Sequence, residues 1–409
     1  MRRAQPFFVS GEPVRSARAP GRLDVMGGIA DYSGALVLQL PLDRAATASA
    51  QRQPSRRIDV ISRRGADDWS TFSIELDEIL GGALRDPHAL GAWFAERSDD
   101  RWAAYVVGVV QCSLKRVSLE ALPGIRIRIE STVPEGKGVS SSAAIEVATM
   151  MVVCASYGVE RSPEEIARTC QWVENHVVGA PCGIMDQMTS ACGKHDRLLR
   201  LRCQPGTIEG YTPLPPGYRV YGIDSGVRHA VTGADYGTVR TAAFMGYRMI
   251  AEIAGLDVVE DGDRVKVDDP QWRGYLANVS VADFDERFAS HLPARMSGEE
   301  FLARYHGTTD TVTHVERGRT YPVRQAAAHP VHEQGRVDRF AALLAELGEH
   351  PPAAEEIGEL MYGSHASYGA CGLGSDATDR LVEMVREVGP RGELFGAKIT
   401  GGGSGGTVA

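Results

Sequence analysis

The stretch Pro134-Glu135-Gly136-Lys137-Gly138-Val139-Ser140-Ser141-Ser142-Ala143-Ala144 constrains this chain more than any other, because it sets two glycines and three serines directly ahead of an apolar run. Glycine reaches backbone conformations closed to other residues, so such a loop can turn its amides inward. The residues that follow, 140–158 (SSSAAIEVATMMVVCASYG), carry apolar side chains at helical spacing and stop at Gly158, which predicts a buried helix. Free amides at a helix start and the positive end of its dipole suit phosphate oxygens. The loop G-x-x-x-x-G-K-[ST] is disfavoured, because Lys137 is followed by Gly138. A serine-capped helix behind an ordinary glycine turn reads the same way locally, so the segment needs support from elsewhere.

A second glycine cluster supplies some of it. Five of the seven residues from Gly401 to Thr407 are glycine, and an apolar strand-like pattern enters the cluster from Phe395. A flexible tail has similar composition, yet the apolar approach argues for a loop whose backbone comes close to a ligand. Between the two clusters, Val178-Val-Gly-Ala-Pro-Cys-Gly-Ile-Met-Asp-Gln187 sets one carboxylate, Asp186, in an apolar loop-to-helix setting. A lone acid there wants a cationic partner. Glu174 lies on the preceding predicted helix (163–178), and its carboxylate is the kind of oxygen donor magnesium takes. A helix cap for Asp186 and a solvated acid for Glu174 are the plainer alternatives.

Residues 35–50 and 125–133 read as strands, the second alternating with period two. Residues 219–223 and 395–400 also read as strands, and 354–367 and 376–387 as helices. The pattern weakens between 255 and 335, which reads as an insertion or a substrate-facing cap. At 409 residues the chain exceeds one ordinary hydrophobic core, so two domains are expected, divided as 1–200 and 201–409.

Composition excludes several functions. The formal net charge of −9 argues against a nucleic-acid partner. No apolar run approaches the roughly 18 residues of a membrane helix, and no secretory signal follows the two leading arginines, so a cytoplasmic location without membrane association is expected. The seven cysteines show no CxxC pair and no zinc-like spacing, the pattern of reduced thiols. Only five of the 44 basic residues are lysine, and two of those, Lys137 and Lys398, fall beside glycine clusters, a hint of contact with phosphates.

The segment Arg18-Ala-Pro-Gly-Arg-Leu-Asp-Val-Met-Gly-Gly-Ile-Ala-Asp-Tyr-Ser-Gly34 completes the set. It resembles the galactokinase signature; the serine segment resembles the second motif of the GHMP kinases, GIMDQ their galactokinase-type catalytic loop, and KITGGGSGG their third motif. These motifs stand in the family's order and span nearly the whole chain. The resemblance implies an α+β fold of two domains with the active site in the cleft between them. It implies ATP and Mg2+ as cofactors and a small sugar as substrate. Arg22 and Asp186 are then the catalytic pair, while Asp31, Gly28, Ile29, Gly183 and Tyr236 contact the sugar. The nucleotide is met by Trp102 and by Gly136, Lys137, Gly138, Val139, Ser140, Ser141, Ser142 and Ala143, with Ser141 and Glu174 at the metal. A core tryptophan is the alternative for Trp102. Tyr236 is singled out because it follows Val227-Arg228-His229, the V-R-H segment that precedes a sugar-contacting tyrosine in the family.

One departure bears on the substrate. Galactokinases read G-E-H-T-D-Y where this chain has Gly27-Gly28-Ile29-Ala30-Asp31-Tyr32, a variant similar to the kinase domain of the plant L-arabinokinases. The resemblance thus implies phosphorylation of the anomeric hydroxyl of L-arabinose, with galactose or a uronic acid as the alternative acceptors and a non-catalytic sugar sensor as the alternative of another class. The change Gly28→Glu with Ile29→His is expected to shift preference towards galactose, provided the backbone tolerates a side chain at 28.

Overall fold

The computed structural model of the chain describes residues 7–63, 68–115, 117, 122–227 and 234–409. Two compact units emerge: Met1–Arg22, Leu42–Pro134 and Ser140–Cys192 form one, and Leu23–Pro41, Glu135–Val139 and Gly193–Ala409 form the other. The junction at Cys192/Gly193 lies near the boundary expected at 200/201. Two segments of the N-terminal half, 23–41 and 135–139, nonetheless belong with the C-terminal unit, because each is hydrogen-bonded or packed against its glycine-rich end. Strands β1 (Arg15–Met26) and β2 (Leu36–Gln53) contribute residues to both units.

In the first unit the alternation around residue 127 produces β5 (Gly124–Ser131), with Ile125, Ile127 and Ile129 buried. It runs parallel to β3 (Arg57–Arg63) and antiparallel to the later part of β2, while β3 pairs antiparallel with β4 (Trp69–Glu75). β-Branched side chains on alternate positions suit such a half-buried surface. Helices Ala104–Leu114, Ser141–Tyr157 and Pro163–Val173 cover it, giving a core that includes Val60, Phe94, Val107, Val147 and Val173. The last of these helices starts with a reciprocal cap, Ser162 with Glu165. A regular helix predicted to residue 178 instead widens into a π turn over Glu174–Val178; such turns are frequent at functional sites.

In the second unit the first residues of β2 pair antiparallel with β6 (Arg197–Arg202), which pairs with β7 (Thr207–Pro213). Helices Ala234–Ile253 and Val323–Glu346 pack so closely that a Cβ added at Gly246 would lie 2.5 Å from Ala327 Cβ. Helices Ala353–Ala370 and Asp376–Val388 stand where the periodicity predicts them. Residues 255–335 hold two small antiparallel pairs, Asp257–Asp261 with Arg264–Asp268 and Met296–Ser297 with Thr320–Tyr321. They also place Trp272, Phe284, Phe288, Phe301, Tyr305 and Tyr321 in the unit's core. That region is part of the hydrophobic interior, and its weak sequence pattern reflects short elements. The strands predicted at 219–223 and 395–400 reduce to Ile223–Asp224 paired with Thr407–Val408 and a lone bridge at Ile399, because each segment finds a partner for only one or two residues. Among the described residues no helix is long and apolar enough to cross a membrane, and all seven cysteines are free.

A buried polar network crosses this unit. Burial pushes His329 down to about 4. Burial raises Glu333, but Arg336, His329 and Lys398 more than offset it and hold the carboxyl at about 2. Unfolded chain takes a proton on histidine below about pH 6.5, whereas folded His329 takes it only near 4. Folding stability is therefore expected to fall as pH drops through that window, by on the order of 3 kcal/mol for this group. Urea midpoints at pH 7, 5 and 4 for the wild type and His329→Gln check it. A His329→Gln protein as acid-sensitive as the wild type between pH 6.5 and 4 would show that this histidine is not the cause.

Candidate active site

The first unit gathers three acids and one arginine. Asp186 opens the helix Met185–Cys192, and Arg22 reaches its Oδ1 from Nε at 2.9 Å and from Nη2 at 2.7 Å. Arg22 is almost wholly buried, whereas Asp186 keeps a fifth of its side chain exposed. The pair is charge-assisted, which fixes the carboxylate's orientation. One residue on, Gln187 is fully buried and donates from Nε2 to Glu174 Oε2 at 2.5 Å and to Glu146 Oε2 at 3.3 Å. Burial, and then the charge of Asp186, pushes Glu174 up to about 7, against hydrogen bonds from Ser142, Cys182 and Gln187. Glu146 is pushed well above the usual range by burial and by Glu174.

The serine segment brings its hydroxyls to the same acids. Ser140 adopts φ 62 and ψ 45, a left-handed conformation costly for a residue with a side chain, and its buried Oγ has no hydrogen-bond partner among the described residues. Ser142 bonds to Glu174. Glu146 Oε1 and Gln187 Oε1 are likewise buried without a partner among the described residues. No group of three His, Cys, Asp or Glu side chains arranged for a metal occurs among the described residues. Even so, buried oxygens left unpaired beside carboxylates that repel one another are the donor set a hard divalent cation satisfies, so the residues present fit magnesium.

In the second unit Lys137 and the glycines around it lie against the third motif. Thr407 Oγ1 donates to Lys137 O at 2.8 Å, and a Cβ on Gly406 would lie 2.7 Å from that oxygen. The segment is a packed loop and not a flexible tail: Gly401, Gly403, Gly405 and Gly406 all have positive φ and are buried. Lys137 Nζ pairs with Asp224 at 2.7 Å. Lys398 has no exposure at all and pairs with Asp24 Oδ2 at 2.5 Å, so its expected role at phosphates is replaced by a structural one. Asp24 also accepts from Gln39 and from the Gly28 amide, and its own amide donates to Thr400 Oγ1.

Asp31 lies in the short turn Gly28–Ser33, followed by Tyr32, whose ring meets that of Tyr236 edge-on at 5.8 Å. Tyr236 is thus beside the Asp31 turn; Arg228, His229 and Gly233 lie outside the described residues. Gly183 is buried just ahead of Asp186. Trp102 packs half-buried against the first unit's core. The Ile29 side chain is fully buried in the second unit's core, and a Cβ on Gly28 (φ +43) would overlap Tyr368 Oη outright. The exchange Gly28→Glu with Ile29→His is therefore sterically closed in this chain. Glu146, Gln187, Asp24 and Tyr368 escaped the sequence reading. Only Glu146 carried a signal, as the single acid inside the apolar helix run.

An arginine-held aspartate, a buried acid cluster beside a helix that opens with serines and two glycine-rich loops in an α+β chain define a GHMP kinase, and the chain belongs to that family. Residues 104–194 match the GHMP kinases N terminal domain. Over 97% of its length the chain is 39% identical to the L-arabinokinase of Arabidopsis thaliana, of which it spans 42%. It is 30% identical to a galactokinase of Streptomyces coelicolor, covering 97% of this chain and 84% of that protein. The fold is that of the Lactococcus lactis galactokinase solved with galactose, at a TM-score of 0.72 and 20% identity, over 98% of this chain and 86% of that one. The chain thus spans less than half of the Arabidopsis protein's length.

Proposed function

We propose that this chain transfers the γ-phosphoryl group of ATP to the anomeric hydroxyl of a small pyranose in the cytoplasm, with L-arabinose the preferred acceptor. The observation that carries the reading is the Arg22–Asp186 pair standing beside Glu174. In a loose transition state the protein mainly positions reactants and stabilises charge. As the anomeric oxygen forms its bond to phosphorus and the bond from phosphorus to the ADP oxygen breaks, Asp186 takes the hydroxyl proton while Arg22 holds its other oxygen. Asp31 binds sugar hydroxyls. Lys137 and the amides of residues 136–140 hold phosphate oxygens. Glu174 and the Ser141–Ser142 hydroxyls would hold magnesium, which when bound supplies charge neutralisation on the phosphates.

The acceptor is supported by the 39% identity to the Arabidopsis L-arabinokinase. Gly28 can offer no side-chain hydrogen bond, and Ile29 turns into the core. L-Arabinopyranose has the ring configuration of galactopyranose without the hydroxymethyl group. Apolar surroundings reject an added hydroxyl by only about 10²-fold, so residual galactose turnover is expected. Galactose remains the second reading, favoured by the Streptomyces galactokinase match along most of both chains. Incubation with ATP, magnesium and each free sugar, followed by phosphorus NMR, is expected to give an anomeric sugar phosphate, with kcat/KM highest for L-arabinose. Phosphate on another carbon, or a preference for galactose or a uronic acid, would overturn the reading; ATP left intact with every sugar would favour a sensor.

A further inference from the structure

Tyr368 stands near the end of the helix Ala353–Ala370 with no solvent exposure. Its hydroxyl accepts from the Ile29 amide at 2.9 Å and donates to the Gly401 carbonyl at 2.9 Å. One phenol thereby joins the turn that carries Asp31 to the start of the glycine-rich loop of the third motif. The ring is braced from outside that pair of contacts. His329 meets it edge-on at 5.3 Å, and Lys398 Nζ lies 5.2 Å from its centre. Gly403 packs on the same side chain: a Cβ there would lie 3.3 Å from Tyr368 Cδ1 and 2.7 Å from Leu373 Cβ. A tyrosine is a costly choice for filling a core position, because its hydroxyl must be satisfied; here both of its hydrogen bonds go to functional loops.

The same hydroxyl dictates what residue 28 can be. The space a side chain at 28 would need is taken by Tyr368 Oη, with Tyr368 Cζ and Asp24 Oδ2 each 2.8 Å from the added Cβ. The positive φ of Gly28 adds strain for any other residue. Tyrosine at 368 and glycine at 28 are therefore one device, each shaped by the other.

We propose that Tyr368 is a positioning residue for sugar binding: its hydroxyl sets the Asp31 turn against the glycine-rich loop of the third motif and, with Gly28, keeps that turn free of side chains at its first position. The inference rests on the sugar-kinase reading and adds a determinant that touches neither reactant. It is distinguished from a plain packing role by where the loss appears, in sugar affinity rather than in turnover or global stability.

The test uses the full chain, with calorimetric titration of L-arabinose and D-galactose in the presence of a non-hydrolysable ATP analogue, and thermal unfolding of the same samples. Tyr368→Phe keeps the ring and removes the bridge; it is expected to weaken sugar binding about 10-fold, with kcat at saturating sugar within about 2-fold of wild type. Gly28→Ala is expected to weaken sugar binding by about 100-fold in the Tyr368 background, and by about 10-fold or less once Tyr368→Leu has cleared the space. Wild-type affinity in Tyr368→Phe, or equal loss from Gly28→Ala in both backgrounds, overturns the proposal. If the wild type binds neither sugar, the substrate reading fails, and the Gly28–Tyr368 coupling is still decided by melting temperatures. Additive shifts in the Gly28→Ala, Tyr368→Leu cycle overturn it, because they remove the coupling between the two positions on which it rests.

Discussion

Asp186→Asn is expected to lower kcat by about 10²–10⁴-fold while changing sugar affinity little. The amide keeps the size of the carboxylate and can still accept from Arg22, so the helix start and the buried guanidinium stay in place. On the proposed mechanism, what is lost is a group able to take the proton as the anomeric oxygen attacks. A loss confined to kcat is the signature of an interaction made in the transition state. Arg22→Met is expected to act differently. It frees Asp186 from its two hydrogen bonds at 2.9 and 2.7 Å and so lowers turnover by misorienting the carboxylate. Single-turnover rates with saturating L-arabinose and ATP measure both effects. Near-wild-type turnover by Asp186→Asn would show that the carboxylate is dispensable.

Glu174→Gln is expected to raise the magnesium concentration needed for half-maximal activity at pH 8 by about 10- to 100-fold. A metal ligand must be deprotonated, and burial together with Asp186 raises Glu174 to about 7. Wild-type magnesium affinity should accordingly increase as pH rises through 7, and the gap between wild type and variant should narrow at pH 6. The same shift predicts an opposite effect on the metal-free fold. The acid's folded value lies above its unfolded one, so its charge costs nothing below about pH 4.5 and its full amount above about 7. Removing that charge should stabilise the metal-free protein at pH 8 by up to about 3 kcal/mol and leave it unchanged near pH 4. Thermal unfolding with a chelator at the two pH values separates these outcomes. A variant with unchanged magnesium dependence and unchanged stability at pH 8 would remove Glu174 from the metal site.

Much of the backbone around the candidate site was legible in the chain because it is set by local sequence. A glycine pair before serines, an acid isolated in an apolar loop and a run of glycines behind an apolar approach each name their own backbone behaviour, and period-two and helical spacing located β5 and the helices at 141–157, 353–370 and 376–388. Where a strand depended on a partner, as at 219–223 and 395–400, local pattern overstated it, since pairing is a property of two segments.

The sequence by itself determined the family, the α+β class and the residue types available for phosphoryl transfer. Only the tertiary structure decided that Lys398 answers Asp24 across most of the chain's length, that Ser142 bonds Glu174, and that Gln187 links Glu174 to Glu146. It alone put Tyr368 in the space beside Gly28. Those are contacts between residues far apart in sequence, and their energies depend on burial and distance. No spacing rule within one segment encodes either quantity.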